Sequence, residues 1–422
     1  MKKYKKILRI VVYFFLILLV IGIIYSIKYF QQISTQNPTT PSYPLGEYER
    51  RAIAQVSDSN GMKEYLKATL AFDSISFLGN RSDKPENRPN KLVDKVLKEG
   101  WNQDFPQLNI VLEKNKEALD LIKAGSKKGY ATLPKMERPS YSMPYPIPGA
   151  FYNLGKLLVA EAYKYQFQKN YSRAVEDWLI AIQLGQSYGG ENSWLIGKLI
   201  SMSIESYGYR ALEKFLKENP NQSEKFYEDL IERLDKIQKN EKTPKYAFEF
   251  EHQAARNNIE ELSKSPKTFF LLFQKGKILR NMDGFYKEYI NSMDKPYTET
   301  KGIDWWGKIE KLDRLNRIMA PNFLYTDTRH RLLKANSAIT EIGASIQYYK
   351  IKNGHYPDSL DELSPSIVKE IPKDPFADKP FIYSKTDRGF ELYSLGPDLM
   401  DDKASILYDP TNGTTSAGDI VF

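Results

Sequence analysis

The feature that most constrains this 422-residue chain is an uncharged apolar run near its start, Ile10–Ile27, which reads IVVYFFLILLVIGIIYSI. A helix needs about 20 mostly apolar residues to cross the hydrocarbon core of a bilayer. A cleaved signal peptide is the alternative, but its apolar region is usually about 7–15 residues long and small residues follow it at the cleavage site. Bulky residues follow this run instead. We therefore expect an uncleaved transmembrane anchor within residues 1–30, with residues 7–27 in the lipid bilayer.

Basic residues at the N-terminus indicate how this anchor is oriented. Several precede the apolar run, whereas only Lys28 follows it before Glu47; those that precede it are Lys2, Lys3, Lys5, Lys6 and Arg9. The positive-inside rule then places the N-terminus in the cytoplasm and the rest of the chain outside the inner membrane, in an extracytoplasmic or periplasmic location. The same residues supply most of the formal net charge of +8, and no basic–aromatic motif accompanies the remainder. We therefore expect no nucleic-acid partner.

The region after the anchor divides by composition. A Pro-, Ser- and Thr-rich stretch at residues 31–46 predicts a linker, and apolar residues at helical spacing predict an α-helical ectodomain over residues 47–320. Within it, residues 155–185 resemble one tetratricopeptide-type (TPR-like) helical hairpin, because large and small residues fall where that roughly 34-residue pattern packs them. A generic helical hairpin fits this stretch as well, since any pair of closely packed helices needs small residues at its contacts.

Residues that could carry catalysis are few. The chain has no cysteine, no G-x-S-x-G elbow, no phosphate-binding glycine loop and no H-E-x-x-H motif. Glu249 with His252, and Asp327 with His330, each place a carboxylate and an imidazole one helical turn apart, as in the di-metal sites of helical bundles. Those sites need further inward-facing acids, and the acids near His252 have the pattern of a solvated helix face. We therefore expect both pairs on helix surfaces, and we lean against enzymatic activity.

Turn residues recur at short intervals after the last long helical pattern, which covers residues 327–352. Gly354 is suited to end that helix, and the following Pro357 prevents its continuation. The buried stripe expected along it consists of Leu332, Leu333, Ala335, Ile339, Ile342, Ile346 and Tyr349.

Two β-propensity runs follow, Phe381–Ser384 and Phe390–Ser394, joined by a loop that suits a hairpin. The terminal DIVF offers a third strand. The expected fold class is therefore mainly α, ending in a small α+β domain over residues 327–422 that combines a long helix with an antiparallel sheet.

The order of these C-terminal motifs resembles the globular domain of the major pseudopilin of type II secretion systems. The resemblance covers residues 328–422 and rests on SIQYYKIKNGHYPDSLDEL, IPKDPFADKPFIYS, GFELYSLGPDLMDD and GDIVF. It implies a link to type II secretion or pilus-like machinery. Unlike a pseudopilin, the chain has no processed leader motif, no acid between Ile7 and Ile27, and about 300 residues between anchor and domain. We therefore expect an arrangement similar to bacterial membrane-anchored proteins with this domain at the C-terminus, rather than a pseudopilus subunit.

The same resemblance implies a calcium site, because in that family the loop after the SLG-x-D strand binds the ion. Carried over by position, Asp398 and Asp419 would supply side-chain ligands, Asp402 a third, and Leu395 a backbone oxygen. Calcium takes roughly six to eight oxygen ligands and tolerates an irregular loop. The insert at residues 403–417 departs from the family's loop, and the alternative is that these acids are ordinary turn residues.

The sequence as a whole predicts a single-pass, membrane-anchored envelope protein that acts as an interaction or scaffold module, with other envelope proteins as its partners. Two alternatives remain. A cleft that brings together Glu249, His252, Asp327 and His330 would favour an extracytoplasmic enzyme. A concave surface lined by Tyr163, Tyr165 and Trp178 would favour a ligand-binding receptor.

Overall fold

Helices dominate the computed structural model, which describes residues 46–79, 82, 84–141, 148–264, 271–319, 325–387, 389–409 and 416–422. No helix among these residues is both long enough and apolar enough to cross a membrane. The apolar run Ile10–Ile27 lies outside the described residues, so the transmembrane anchor stays a prediction. Residues from Tyr48 to Phe422 form one compact unit.

The helices of the described residues are numbered in chain order. They are α1 (Glu47–Gln55), α2 (Met62–Ala71), α3 (Ser74–Leu78), α4 (Pro89–Glu99), α5 (Pro106–Lys114), α6 (Lys116–Ser126), α7 (Pro148–Phe167), α8 (Tyr171–Tyr188), α9 (Leu195–Glu218), α10 (Glu224–Lys239), α11 (Lys245–Lys264), α12 (Leu271–Ser292), α13 (Tyr297–Thr300), α14 (Trp305–Glu310), α15 (Arg314–Met319) and α16 (Thr326–Asn353). This confirms the expected mainly helical fold.

Helices α7, α8 and α9 pack together at the centre of the fold, and glycines let them approach closely. A Cβ added at Gly155 of α7 would lie 2.7 Å from Ile204 of α9, and one at Gly208 of α9 would lie 2.5 Å from Ile182 of α8. The side chain of Asn170 caps the start of α8 by accepting a backbone N–H of its first turn. The expected helical hairpin is therefore present, whereas its assignment as a TPR-like repeat stays a prediction.

A separate apolar cluster joins α11, α12 and α14. It includes Phe248, Ile259, Phe285 and Tyr289. Trp305 packs edge-on against Tyr289, with ring centroids 4.8 Å apart. These side chains hold the α11–α12 pair together beside the central helices.

Helix α16 is buried on all sides over much of its length. Every residue from Ser337 to Tyr348 is buried, so the stripe expected from sequence understates its burial. Gln347 accepts a hydrogen bond from the Tyr227 hydroxyl of α10 (2.5 Å) and donates one to the Leu216 carbonyl of α9 (3.1 Å). The helix ends at Gly354 in the left-handed conformation, with φ of 80°, as expected.

Three strands lie against the other side of α16 and form an antiparallel sheet. They are β1 (Ile382–Thr386), β2 (Gly389–Ser394) and β3 (Ile420–Val421), in the order β1-β2-β3. Phe422 packs so closely on the helix that a Cβ at Gly343 would lie 2.1 Å from its ring. The expected small antiparallel C-terminal sheet is confirmed. Because α16 shares its core with α9 and α10, the boundary placed between residues 320 and 327 stays a prediction.

Candidate functional site

A cleft of about 770 Å³, here called the central cleft, lies among the described residues. It opens between the end of α10, the start of α11, the loop after α12, the first half of α16 and the loop before β1. Its lining residues include Asp235, Gln238, Glu241, Thr243, Lys245, Asp294, Lys295, Asp327, His330, Arg331, Lys334, Ser337, Lys373 and Asp374.

Glu241 and His330 lie at the floor of this cleft. His330 Nδ1 is 3.3 Å from Glu241 Oε1, and both side chains are only about one-tenth exposed. Apart from this contact, neither of these two atoms is bonded to a described residue. Burial lowers the pKa of His330 well below its ordinary value, and the nearby charges of Lys198 and Lys334 lower it further. Burial also raises the pKa of Glu241, so the floor presents a neutral imidazole beside a carboxyl group that protonates readily.

A second set of polar groups lies beneath the floor, within α9. Lys198 is 1% exposed and donates a hydrogen bond from Nζ to the Lys242 carbonyl at 2.7 Å. Glu205 is completely buried and accepts a hydrogen bond from the Ser201 hydroxyl at 2.6 Å. Burial raises the pKa of Glu205 to about 7, although the charge of Lys198 lowers it.

Glycine explains how Glu205 is sealed from water. A Cβ at Gly185 of α8 would lie 2.7 Å from Glu205 Cγ, so only a glycine lets α8 cover this carboxyl group. The polar groups under the cleft therefore depend on the same close helix packing that builds the centre of the fold.

The rim of the cleft carries several ion pairs. Lys239 pairs with Asp235, Lys245 with Asp294, and Arg331 with Asp327. Arg331 also donates to the carbonyls of Lys295 and Pro375, at 2.8 and 3.1 Å, and so ties the loop after α12 to the loop before β1. The cleft therefore combines a charged, cross-linked rim with a buried floor that holds an imidazole and a carboxyl group.

The structure separates the two carboxylate–histidine pairs that sequence spacing singled out. His252 Nε2 contacts Asp283 Oδ1 at 2.7 Å and its ring stacks on Tyr286. Asp327 and His330 line the central cleft, whereas Glu249 and His252 do not. The four residues are therefore not brought into one cleft, and no group of three or more histidine or acidic residues that could hold a metal ion occurs among the described residues.

The expectation that both histidines lie on solvated helix surfaces is wrong for His330, which is 8% exposed. His330 precedes Leu333 by three residues and so lies on the buried face of α16. The sequence also carries a signal for Lys198 and Glu205, since these two charged residues lie two helical turns apart within an apolar stretch. Glu241 had none, since it follows the end of α10 and reaches His330 only through the fold.

The aromatic residues considered for a receptor surface belong mostly to the core. Tyr163 is 4% exposed and Trp178 is fully buried, and their rings meet edge-on at 5.3 Å. Tyr165 is half-buried, with Lys123 and Arg173 over its ring. These three residues do not line an open concave surface.

The acids expected to bind calcium lie between β2 and β3: Asp398 and Asp402 follow β2, and Asp419 directly precedes β3. Asp398 accepts hydrogen bonds from the backbone N–H groups of Met400 (3.1 Å) and Gly418 (2.8 Å). Asp419 is 1% exposed; its Oδ2 accepts the N–H of Ala404 at 2.8 Å, and its Oδ1 has no hydrogen-bond partner among the described residues.

Burial raises the pKa of Asp419, and the charges of Asp402, Asp401 and Asp398 raise it further. The unpartnered Asp419 oxygen suits a cation, but backbone amides occupy the Asp398 carboxylate and the three carboxylates do not converge into a metal site. Calcium binding would therefore need the loop between β2 and β3 to rearrange, and it stays a proposal.

The fold and the cleft together define a mainly helical protein with a small antiparallel C-terminal sheet and a polar cleft between them. Comparison of the chain with protein-family models, curated proteins and solved structures finds no match. The resemblance to pseudopilins therefore rests on the sequence motifs alone.

Proposed function

We propose that this protein is a single-pass, membrane-anchored protein of the bacterial envelope, whose ectodomain binds a segment of a partner protein in the central cleft. The observation that carries the proposal is the polar floor of the cleft, where Glu241 Oε1 and His330 Nδ1 lie 3.3 Å apart and form no hydrogen bond with any other described residue. Buried polar atoms in folded proteins are nearly always hydrogen-bonded. A segment bound in the cleft would add hydrogen-bonding groups at this floor.

The chemistry of the cleft favours a polypeptide over a strongly charged ligand. Its floor combines an imidazole of lowered pKa with a carboxyl group of raised pKa, and its rim carries charges of both signs, several of them in ion pairs. A peptide backbone offers one donor and one acceptor per residue, which suits a floor containing an imidazole and a carboxyl group.

The burial of α16 supports a scaffold over a pilus-like subunit. A subunit that packs through its long helix needs an exposed face on that helix, yet the residues from Ser337 to Tyr348 are covered by α9, α10 and the sheet. Any link to type II secretion or pilus-like machinery would then use the intact ectodomain as a docking surface.

Photo-crosslinking in cells tests the partner proposal. A photoreactive phenylalanine at Thr243, which is exposed and lines the cleft, should capture a discrete envelope protein, whereas one at the exposed Glu113 of α5 should not. Lys334→Trp places a bulky side chain at an exposed position of the cleft. Added to the Thr243 variant, it should reduce the yield of the crosslinked adduct. Identical adducts from both positions, or adducts with cytoplasmic proteins only, would contradict the proposal.

Membrane fractionation tests the proposed location separately. The full chain should sediment with membranes and resist extraction by high salt, and a chain lacking residues 1–30 should be soluble. Protease added to spheroplasts should digest the ectodomain of the full chain. Protection of the ectodomain would mean that the orientation is reversed.

An extracytoplasmic enzyme is the second candidate, because a neutral imidazole beside a carboxyl group of raised pKa is suited to proton transfer. If the protein is an enzyme, the partner captured by the wild type should have an altered mass. The partner captured by the His330→Gln variant should keep its original mass. An unchanged partner mass with the wild type would leave the scaffold as the function.

A further inference from the structure

A second pocket lies on a different face of α16 from the central cleft. Its volume is about 260 Å³. Helix α9 contributes Leu199, Met202, Ser203, Ser206, Tyr207 and Arg210, helix α16 contributes Arg329, Leu332 and Asn336, and Tyr408 closes one side. This group is called the arginine pocket below.

Two guanidinium groups stand at the mouth of this pocket without a counterion. Arg210 and Arg329 are exposed, and the guanidinium group of neither forms an ion pair or a hydrogen bond with the described residues, whereas that of the neighbouring Arg331 is held by Asp327 and two carbonyls. Both charges act on the hydroxyl of Tyr408, where they oppose the rise in pKa caused by burial. The two arginines therefore face the same small volume.

The acids around the pocket do not neutralise these arginines. Glu213, one turn beyond Arg210, is bonded to Lys217 at 2.7 Å. Asp409 lies next to Tyr408 and its charge also acts on that hydroxyl, but it does not line the pocket. Among the residues that line the pocket, Arg210 and Arg329 are charged and none is acidic, so the lining is cationic.

The base of the pocket adds neutral hydrogen-bonding groups to an apolar wall. The hydroxyls of Ser203 and Ser206 donate to the carbonyls of Leu199 and Met202, at 3.0 and 2.7 Å. Their oxygens thus keep lone pairs that can accept a hydrogen bond from a ligand. The side-chain amide of Asn336 is half-buried and unbonded among the described residues.

We propose that the arginine pocket binds a phosphate monoester, with the phosphoryl group between Arg210 and Arg329 and a small hydroxyl-bearing remainder against Ser203, Ser206 and Asn336. Planar guanidinium groups bind phosphate through paired, charge-assisted hydrogen bonds. The double charge of a phosphate monoester matches the two arginines. The volume is just below the roughly 300 Å³ at which drug-sized pockets begin, so the remainder of the ligand is small.

A phosphate monoester could reach the pocket from a soluble metabolite or from a lipid headgroup, and titration of the full chain in nanodiscs distinguishes these sources. In phosphatidylcholine nanodiscs, glycerol 3-phosphate should bind at physiological salt and glycerol should not. Nanodiscs that also contain phosphatidate should weaken this binding if a lipid headgroup occupies the pocket, and leave it unchanged if the ligand is soluble.

Substitution of the arginines provides the decisive comparison. Arg210→Gln and Arg329→Gln should each weaken binding of glycerol 3-phosphate about tenfold or more, as expected for loss of a charge-assisted hydrogen bond. The double variant should abolish it, and Arg280→Gln, at an exposed arginine of α12, should not change it. Equal binding of glycerol and glycerol 3-phosphate, or unchanged binding by a double variant that melts like the wild type, would overturn the proposal.

Discussion

Two faces of helix α16 use polar side chains in opposite ways. On the cleft face, His330 is 8% exposed and its pKa is held well below the ordinary value by burial. On the other face, the adjacent Arg329 is exposed and stands beside Arg210 without a counterion. On the exposed face, water solvates the charge of Arg329. On the cleft face, water is excluded, which favours the neutral forms of titratable groups.

The difference has consequences for recognition. A buried floor with an imidazole and a carboxyl group favours a ligand that completes hydrogen bonds, whereas an exposed cationic pocket favours one that carries negative charge. Neighbouring residues on one helix can therefore serve two kinds of ligand. The following predictions test this contrast, from the largest expected effect to the smallest.

An aspartate should destabilise the protein much more on the cleft face of α16 than on its exposed face. His330→Asp would put a carboxylate next to the buried Glu241, and we expect a loss of about 3 kcal/mol in the free energy of unfolding at pH 7. Arg329→Asp should change it by no more than about 0.5 kcal/mol, because residue 329 is exposed. Urea unfolding of the full chain in detergent measures both; similar losses would mean that burial does not distinguish the faces.

The pH dependence of stability should reveal the buried carboxyl group of Glu205. Its folded pKa of about 7 is raised by burial, so the folded state binds more protons than the unfolded state between about pH 4.5 and 7. The stability contributed by this group is therefore lost as pH rises through that window. Glu205→Gln should match the wild type near pH 5 and exceed it by roughly 1–3 kcal/mol at pH 8.

The control for that prediction is Glu310→Gln, at an exposed glutamate of α14, which should follow the wild-type profile. Taking the difference between variant and wild type also separates Glu205 from His330. The lowered pKa of His330 acts in the opposite direction, since its buried neutral form costs stability as pH falls below about 6.5. A wild-type-like slope in Glu205→Gln would disprove the assignment.

The loop between β2 and β3 provides a third environment, where the buried Asp419, just before β3, lies near other acids. If calcium binds there, the ion should raise the melting temperature of the wild type by several degrees, and a chelator should reverse the rise. Asp419→Asn should abolish the rise, and Asp387→Asn, in the exposed hairpin loop, should retain it. A rise of equal size in all three proteins would point to a different site.

The smallest effect is expected at the rim of the cleft. Lys239 and Asp235 are 2.5 Å apart, but their side chains are 62% and 42% exposed. Exposed ion pairs of this kind contribute about 0–1 kcal/mol because water screens them. Lys239→Gln should therefore lower the free energy of unfolding by less than about 0.5 kcal/mol in the same urea measurement, and a loss of several times that size would show that the rim is rigidly coupled to the floor.

Local signals predicted many of the elements well. The long helix expected over residues 327–352 is present as Thr326–Asn353, and Gly354 ends it in the conformation that glycine favours. Gly389 begins β2 directly after the hairpin loop, and Ile420–Val421 forms the third strand. Each of these depends on residues close in sequence, so periodicity and turn chemistry are sufficient to identify them.

The candidate sites were less accessible to sequence reasoning. Spacing paired His330 with Asp327, but its neighbour in the cleft is Glu241, and Asp327 is held by Arg331. The arginine pocket joins residues more than 100 positions apart, such as Arg210 and Arg329. Side chains from separate helices come into contact only when those helices pack, so no local sequence pattern predicts these contacts.

Sequence therefore specified the mainly helical composition, the ends of its C-terminal elements and the apolar run that we expect to hold the chain in a membrane. Tertiary structure alone decided which polar groups are excluded from water. That decision depends on the glycines that bring α8 and α9 together over Glu205, and on the position of α16 between the helices and the sheet. Burial changes the charge of a titratable group, and it arises from long-range packing, so neighbouring residues such as Arg329 and His330 acquire different chemistry.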